Sequence, residues 1–516
     1  MLQRTILALA AALAVLASAC TATLPRSAED ELRSHVVSAD EEGRAIDPVT
    51  RDALVAEEFR TRVRAMLEQA DLAARAHATD ASAVRAPEAC HAPGHVHPAG
   101  ERDVRKLLVH VHGGLNGDHA SRQRACEVLA DIERDTPENW AYPIFLTWPS
   151  GGLGSVWEHL SDLRFGSHWG WMGKLTLPFQ LAYDLLQGIA RAPNTWWTMA
   201  TVDLQAAAKV SSDWDFLPTW ERAESVMEVL DEEREPAHVH GPGCAEGYSV
   251  SLGNYERGAV THAWHLLSYL VLSPVKYVTT PLFVDGIGKS AWQVMLHRAS
   301  NTLRPTSEFE TVFLGDVARE ELRATLDSPA SGAFAVFFRE LDRFLREQRE
   351  RDPRVCWEIT LVGHSMGAII LNDTLQLFPE LPVSNVVYMA PACSIAEAEE
   401  ALVPFLHSHP AARFYLLTLH PIAEAEELVA YDLPARGSLL EWLDLWYAPP
   451  DHALDRRFGK WNNAISALHV FESVRERVSI KAFAVEGDSK PQKHGQFYDG
   501  PFWRPAIWRV DGPAHY

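Results

Sequence analysis

The chain of 516 residues is poor in cysteine, with six in all, and no pair of them stands at metal-ligand spacing. That excludes a fold organised around cysteine-bound zinc. No internal repeat is evident, which excludes a solenoid or propeller array. Basic side chains are outnumbered: 47 Lys and Arg face 69 Asp and Glu, for a formal net charge of -22. Phosphates would be repelled by such a surface, so nucleic acid is excluded as a partner. What is present is an ordinary globular composition, 47% hydrophobic and 22% charged. A chain of this length can bury a large core, as one big domain with insertions or as two domains.

The first residues read as an export signal. Arg4 gives a basic start, and the apolar run from Ile6 to Ala19 is too short for a stable bilayer span. Small residues Ala17-Ser18-Ala19 stand directly before Cys20. The segment resembles a bacterial lipoprotein signal, in which Cys20 is lipidated and becomes the mature N-terminus. The implied location is an exported protein anchored to a membrane, on the periplasmic or cell-surface side. An ordinary secretory signal, giving a secreted protein, is the alternative reading. In an exported protein some of Cys90, Cys126, Cys244, Cys356 and Cys393 are expected to pair, and an odd count leaves one over.

Residues 1–19 are thus expected to be the signal and 20–47, polar and without apolar period, a tether. Residues 48–100 read as a helix, with Leu54, Phe59, Val63, Met66 and Leu67 at helical spacing, followed by a loop. Strand and helix patterns then alternate. Leu107–His112 and Ile144–Trp148 read as strands flanking a helix over His119–Asp135. After a long interruption come a short strand at Thr311–Leu314 and an amphipathic helix at Ala333–Glu347. Further strands are expected at Ile359–Val362, Val386–Met389, Phe414–Leu419 and Ile480–Val485. This alternation predicts an α/β fold with a mostly parallel central sheet covered by helices, formed by residues 101–152 and 308–516. Residues 153–307 are expected to be a large helical cap insertion.

Chemistry concentrates at Gly363-His364-Ser365-Met366-Gly367. The apolar strand WEITLV precedes it and the helical run AIILNDTLQLF follows. A serine on a tight strand-to-helix turn has an exposed hydroxyl, and flanking glycines let strand and helix approach closely. Helix N-terminal amides there face any negative charge that develops. Serine needs a base to become a nucleophile. His494, in a Gly-flanked polar loop just past the last expected strand, is the candidate; His452, His469 and His515 follow no core strand. An acid should orient that histidine. Glu424, shortly after FYLLTL, is the candidate, with Glu426, Glu427 and Asp432 as rivals. Two backbone amides should hold an oxyanion: Met366, next to the nucleophile, and Gly114 in the turn His112-Gly113-Gly114-Leu115.

HGG at His112–Gly114, GHSMG at Gly363–Gly367 and HG at His494-Gly495 occur in this order, with the acid segment between the last two. Together they resemble the α/β-hydrolase superfamily of serine esterases and lipases, over roughly residues 105–510. The resemblance implies the α/β-hydrolase fold and a Ser-acid-His triad working through an acyl-enzyme, without a cofactor. It implies hydrolysis of a carboxylic ester, including lipid esters given the expected anchor. A peptidase or amidase with the same triad, and a non-catalytic envelope lipoprotein using the fold as a binding scaffold, are the alternatives. The long insertion and an acid segment without a GxxD pattern depart from the simplest members.

Within the insertion, Leu266–Val284 is strongly apolar, but Pro274, Lys276 and Pro281 argue against a transmembrane helix. It is read as a helix buried in the cap, with lining an acyl pocket or meeting lipid as the other reading. Trp169, Trp171, Trp196, Trp197 and Trp220 are mostly expected in the core. His91, His95, His97, His238 and His240, with Cys244, have no standard metal spacing, and no metal site is expected.

Overall fold

A computed structural model of the chain describes residues 26–78, 103–115, 117–164, 167–210, 248–252, 255–256, 271–304, 332–427, 433–483, 485–486 and 491–510. Nine strands form one sheet: β1 (Val36–Ala39), β2 (Ala45–Ile46), β3 (Asp103–Val111), β4 (Tyr142–Thr147), β5 (Ser249–Ser251), β6 (Val355–His364), β7 (Val383–Met389), β8 (Arg413–Leu419) and β9 (Val478–Phe483). Their spatial order is β2-β1-β4-β3-β6-β7-β8-β9-β5. Every neighbouring pair is parallel except β1 with β2. The chain therefore has an α/β fold. Its central strands read as continuous apolar runs because they are covered on each side; all seven residues of β7 are buried.

Helices connect the strands: α1 (Arg26–His35), α2 (Ala56–Ala78), α3 (Asp118–Glu133), α4 (Gly152–Ser161), α5 (Gly170–Val210), α6 (Lys289–Asn301), α7 (Ala333–Arg351), α8 (Gly367–Leu377), α9 (Ile395–Ser408) and α10 (Pro421–Glu426). The apolar face expected on α7 is buried, with Phe334, Phe337, Phe338, Leu341, Phe344 and Leu345 all in the main core. A serine N-cap fixes the start of α9, where Ser394 and Glu397 form a reciprocal capping box. At the buried start of β3, Arg105 pairs with Asp71 of α2 and with Asp103.

Three expectations need correction. The stretch 20–47 is not all tether: α1 is followed by β1, whose four residues are buried between β2 and β4. Only Val36 and Val37 there are strongly apolar, too short a run to register as a strand. The insertion 153–307 is not purely helical either. It donates β5 to the sheet edge, and Trp292, Met295 and Ala299 of α6 enter the main core. Finally, Trp169, Trp171, Trp196 and Trp197 lie at the surface rather than in the core. Residues 271–279 are helical and continue into a wider-wound turn at Thr280–Gly288, where Val284 is buried and Phe283 exposed. Cys356 is disulfide-bonded, and Cys126 and Cys393 are free thiols. Cys20, Cys90, Cys244, Trp220, the strand expected at Thr311–Leu314, and His91, His95, His97, His238 and His240 lie outside the described residues.

Candidate active site

β6 runs straight into the turn that carries Ser365, and α8 leaves it. Ser365 takes the left-handed backbone conformation, φ 52°, which a serine adopts only under constraint. The constraint is visible. Its amide donates to Met389 O at 2.9 Å, and its carbonyl accepts from Ala392 N at 3.0 Å. Both motif glycines are demanded by contact rather than by φ. A Cβ at Gly367 would stand 2.2 Å from Val111 O, and one at Gly363 would stand 2.9 Å from Ala368 N. Strand β3 and helix α8 thus close on the turn as the spacing predicts.

His494 comes to the serine from the loop beyond β9. Its Nε2 lies 2.9 Å from Ser365 Oγ, and both residues are buried, at 6% and 1% exposure. For the hydroxyl to donate, the imidazole proton must sit on Nδ1. Burial, with the nearby His364, holds the His494 pKa well below its ordinary range, so the ring is neutral. A neutral imidazole is what a base needs.

The triad acid is where expectation and structure part. Glu424 does not meet His494; its carboxylate accepts from Ser438 Oγ. Burial pushes Glu424 up to about 8. Glu427, three positions along, accepts instead from the backbone amide of His494, at 2.8 Å. Burial raises it to about 7, against the lowering effect of that hydrogen bond. Among the described residues His494 Nδ1 has no hydrogen-bond partner. Asp432 lies outside the described residues, and Glu426 is buried within α10. Glu424 is drawn away by α10: FYLLTL ends in a short helix that turns Glu424 toward Ser438, and the chain leaves that helix at Glu427.

Sequence reasoning gave His364 no role. Its Nε2 donates to the His494 carbonyl at 3.0 Å, so the backbone of His494 is gripped on one side by Glu427 and on the other by His364. Burial lowers His364 to about 4, which keeps this donor neutral. The position between glycine and serine in the motif was its only sequence signal.

The HGG turn lies against Ser365. A Cβ on Gly113 would sit 2.8 Å from Ser365 Cβ, and one on Gly114 would sit 2.6 Å from Met366 Sδ. At Gly113 only glycine fits, whereas at Gly114 the flexible Met366 side chain would have to give way. The turn is tied to the end of β4. Trp148 N donates to His112 Nε2 at 3.0 Å, which leaves the His112 proton on Nδ1 to bond Gly113 O at 2.7 Å. Ser150 Oγ donates to Gly113 O at 3.1 Å, and Leu115 N to Ser150 O at 2.8 Å. Arg298 of α6 completes the support by donating to Pro149 O at 3.0 Å while pairing with Glu158. Among the described residues no cluster of His, Cys, Asp and Glu has the makings of a metal site.

No protein-family model, curated protein or solved structure matches the chain. The reading of the site therefore rests on its own geometry.

Proposed function

We propose that the chain is a serine hydrolase of α/β-hydrolase type that cleaves carboxylic esters, lipid esters among them. The observation that carries this is the contact of His494 Nε2 with Ser365 Oγ at 2.9 Å, on a left-handed turn between strand and helix. His494 takes the hydroxyl proton while Ser365 Oγ bonds to the ester carbonyl carbon. The amides of Met366 and Gly114 hold the resulting oxyanion. The ester C–O bond breaks as His494 returns the proton to the departing alcohol. Water then adds to the acyl-serine, giving a proton to His494, and the acyl C–Oγ bond breaks as His494 returns that proton to Ser365 Oγ, releasing the carboxylic acid.

In this reading Glu427 and His364 hold the His494 backbone, and Glu424 has no part in catalysis. The chain is further proposed to be exported and held at a membrane by lipid on Cys20, on the strength of the sequence before that residue.

Steady-state turnover of short-chain p-nitrophenyl esters tests the activity. Wild-type turnover abolished in Ser365→Ala and in His494→Ala supports the reading. Ester turnover that survives Ser365→Ala contradicts it. Faster cleavage of matched anilides than of esters would make the enzyme an amidase instead.

A further inference from the structure

Helix α5 presents an unusual surface. Trp171, Leu175, Phe179, Leu186 and Trp197 are each between 63% and 75% exposed. At about 100° per residue they fall within an arc of roughly 80° on one side of the helix. From Trp171 to Trp197 this stripe runs roughly 39 Å. The opposite side of α5 packs on residues 271–288. A Cβ on Gly188 would meet Pro281 O at 2.2 Å, and one on Gly286 would meet Asp184 O at 2.9 Å. Val271, Val275, Val278 and Phe283 of this second helix are exposed as well. The two helices are already pressed together, so neither can bury the other's outward apolar side chains.

Charge separates this face from the rest of the molecule. The chain carries -22 overall, yet Gly170–Ala200 contains a single acid, Asp184, against Lys174 and Arg191. Asp184 is buried, with His159 Nε2 at 2.9 Å and Gln180 Nε2 at 2.8 Å. The one acid of 271–288, Asp285, is buried too, bonded to Thr195 Oγ1 at 2.8 Å and Arg191 at 3.3 Å. Between Gly170 and Ala200 this leaves Lys174 exposed and Arg191 partly exposed, both basic. Aromatic rings mark both ends of the stripe. Trp169 and Trp171 stand at its start, and Trp196 and Trp197 at its end, with Trp196 Nε1 bonded to Tyr277 O at 2.6 Å.

We propose that this face is a docking surface for a lipid bilayer, with α5 lying in the interfacial plane. A protein partner would need hydrogen-bonding groups at about one per 100–200 Å², and the stripe has almost none. A bilayer asks for an apolar face, no exposed acid and aromatic rings at the polar boundary. Among the described residues this face has all three. The docking stands apart from the catalytic reading and from any lipid on Cys20.

The test uses the full chain carrying Cys20→Ser, so that no attached lipid contributes, with mixed phosphatidylcholine–phosphatidylglycerol vesicles. Binding is read by co-sedimentation, and insertion by quenching of tryptophan fluorescence with brominated acyl chains. The double variant Phe179→Asp, Leu186→Asp is expected to lose partitioning about tenfold or more, with its near-UV circular dichroism unchanged. Trp171→Phe with Trp197→Phe is expected to bind but to lose most of the quenching. No vesicle binding by the parent chain overturns the proposal. So does equal binding by the Asp variant. A concentration-dependent dimer in analytical ultracentrifugation that the Asp variant abolishes, without vesicle binding, assigns the face to a second copy and also overturns it.

Discussion

Replacing Gly113 by alanine places a methyl carbon 2.8 Å from Ser365 Cβ, 2.8 Å from His364 Nδ1 and 3.1 Å from His364 O. Carbon contacts relax at about 3.5–4.0 Å, so the overlap is roughly 0.7 Å against Ser365 Cβ and His364 Nδ1 and about 0.4 Å against His364 O. Those atoms cannot retreat. Ser365 is fixed by bonds to Met389 and Ala392, and His364 by its bond to His494. The HGG turn must therefore move, and the Gly114 amide moves with it. Misplacing a catalytic group by about 1 Å costs on the order of 10²-fold in rate, and losing an oxyanion donor about 10²–10³-fold. Gly113→Ala is thus expected to lower kcat for a p-nitrophenyl ester about a hundredfold with little change in KM. Overpacking should also reduce stability by about 1–3 kcal/mol, visible in a thermal melt. Gly114→Ala is the internal control. Its methyl meets Met366 Sδ at 2.6 Å and Cγ at 3.2 Å, a side chain flexible enough to shift. It should lose about tenfold or less. A folded Gly113→Ala enzyme with wild-type kcat, or a Gly114→Ala enzyme damaged more than Gly113→Ala, would refute the reasoning.

Other outcomes follow from the same geometry. Because burial keeps His494 neutral to well below its usual pKa, kcat/KM should stay flat from pH 8 down through 6.5; an acid limb centred at or above 6.5 contradicts this. The unfolded state takes up protons on His112, His364 and His494 near 6.5 while the folded state does not, so stability should fall as pH drops below that value; melts at pH 7 and 5.5 test it. Glu424 works in the opposite sense. Its folded pKa is raised to about 8, so its contribution declines as pH rises from about 4.5 through 8, and Glu424→Gln should melt higher than wild type at pH 9 but not at pH 5. Glu427→Ala should lower kcat about 10–100-fold by releasing the His494 amide, while Glu427→Gln, which keeps an acceptor oxygen, retains most activity. Equal losses in the two variants would point to charge rather than the hydrogen bond.

Much of this was legible in the residues. Strands β3, β4 and β6 to β9 announced themselves by continuous apolar runs, and GHSMG by its strand before and helix after. His494 was found from its place beyond the last strand, because parallel strands deliver their following loops to one edge of the sheet. Other features left no such trace. β1 and β5 are short and borrow their burial from neighbours, so period and propensity say little. Glu424 turns to Ser438 rather than to His494, because position along the chain does not say which way a side chain leaves α10. His364 acts through a backbone carbonyl distant in sequence, which no local pattern encodes. The exposed aromatics of α5 read as core since composition alone cannot say which face of an apolar helix is covered.

The central claim is that Ser365 is a nucleophile activated by His494. Its most direct measurement is covalent labelling of the intact protein with a fluorophosphonate, the adduct located by peptide mass spectrometry. One phosphonyl group per chain is predicted, on Ser365, with labelling strongly slowed in His494→Ala and absent in Ser365→Ala. An intact, folded protein that takes no label, or takes it at another serine, would contradict the account.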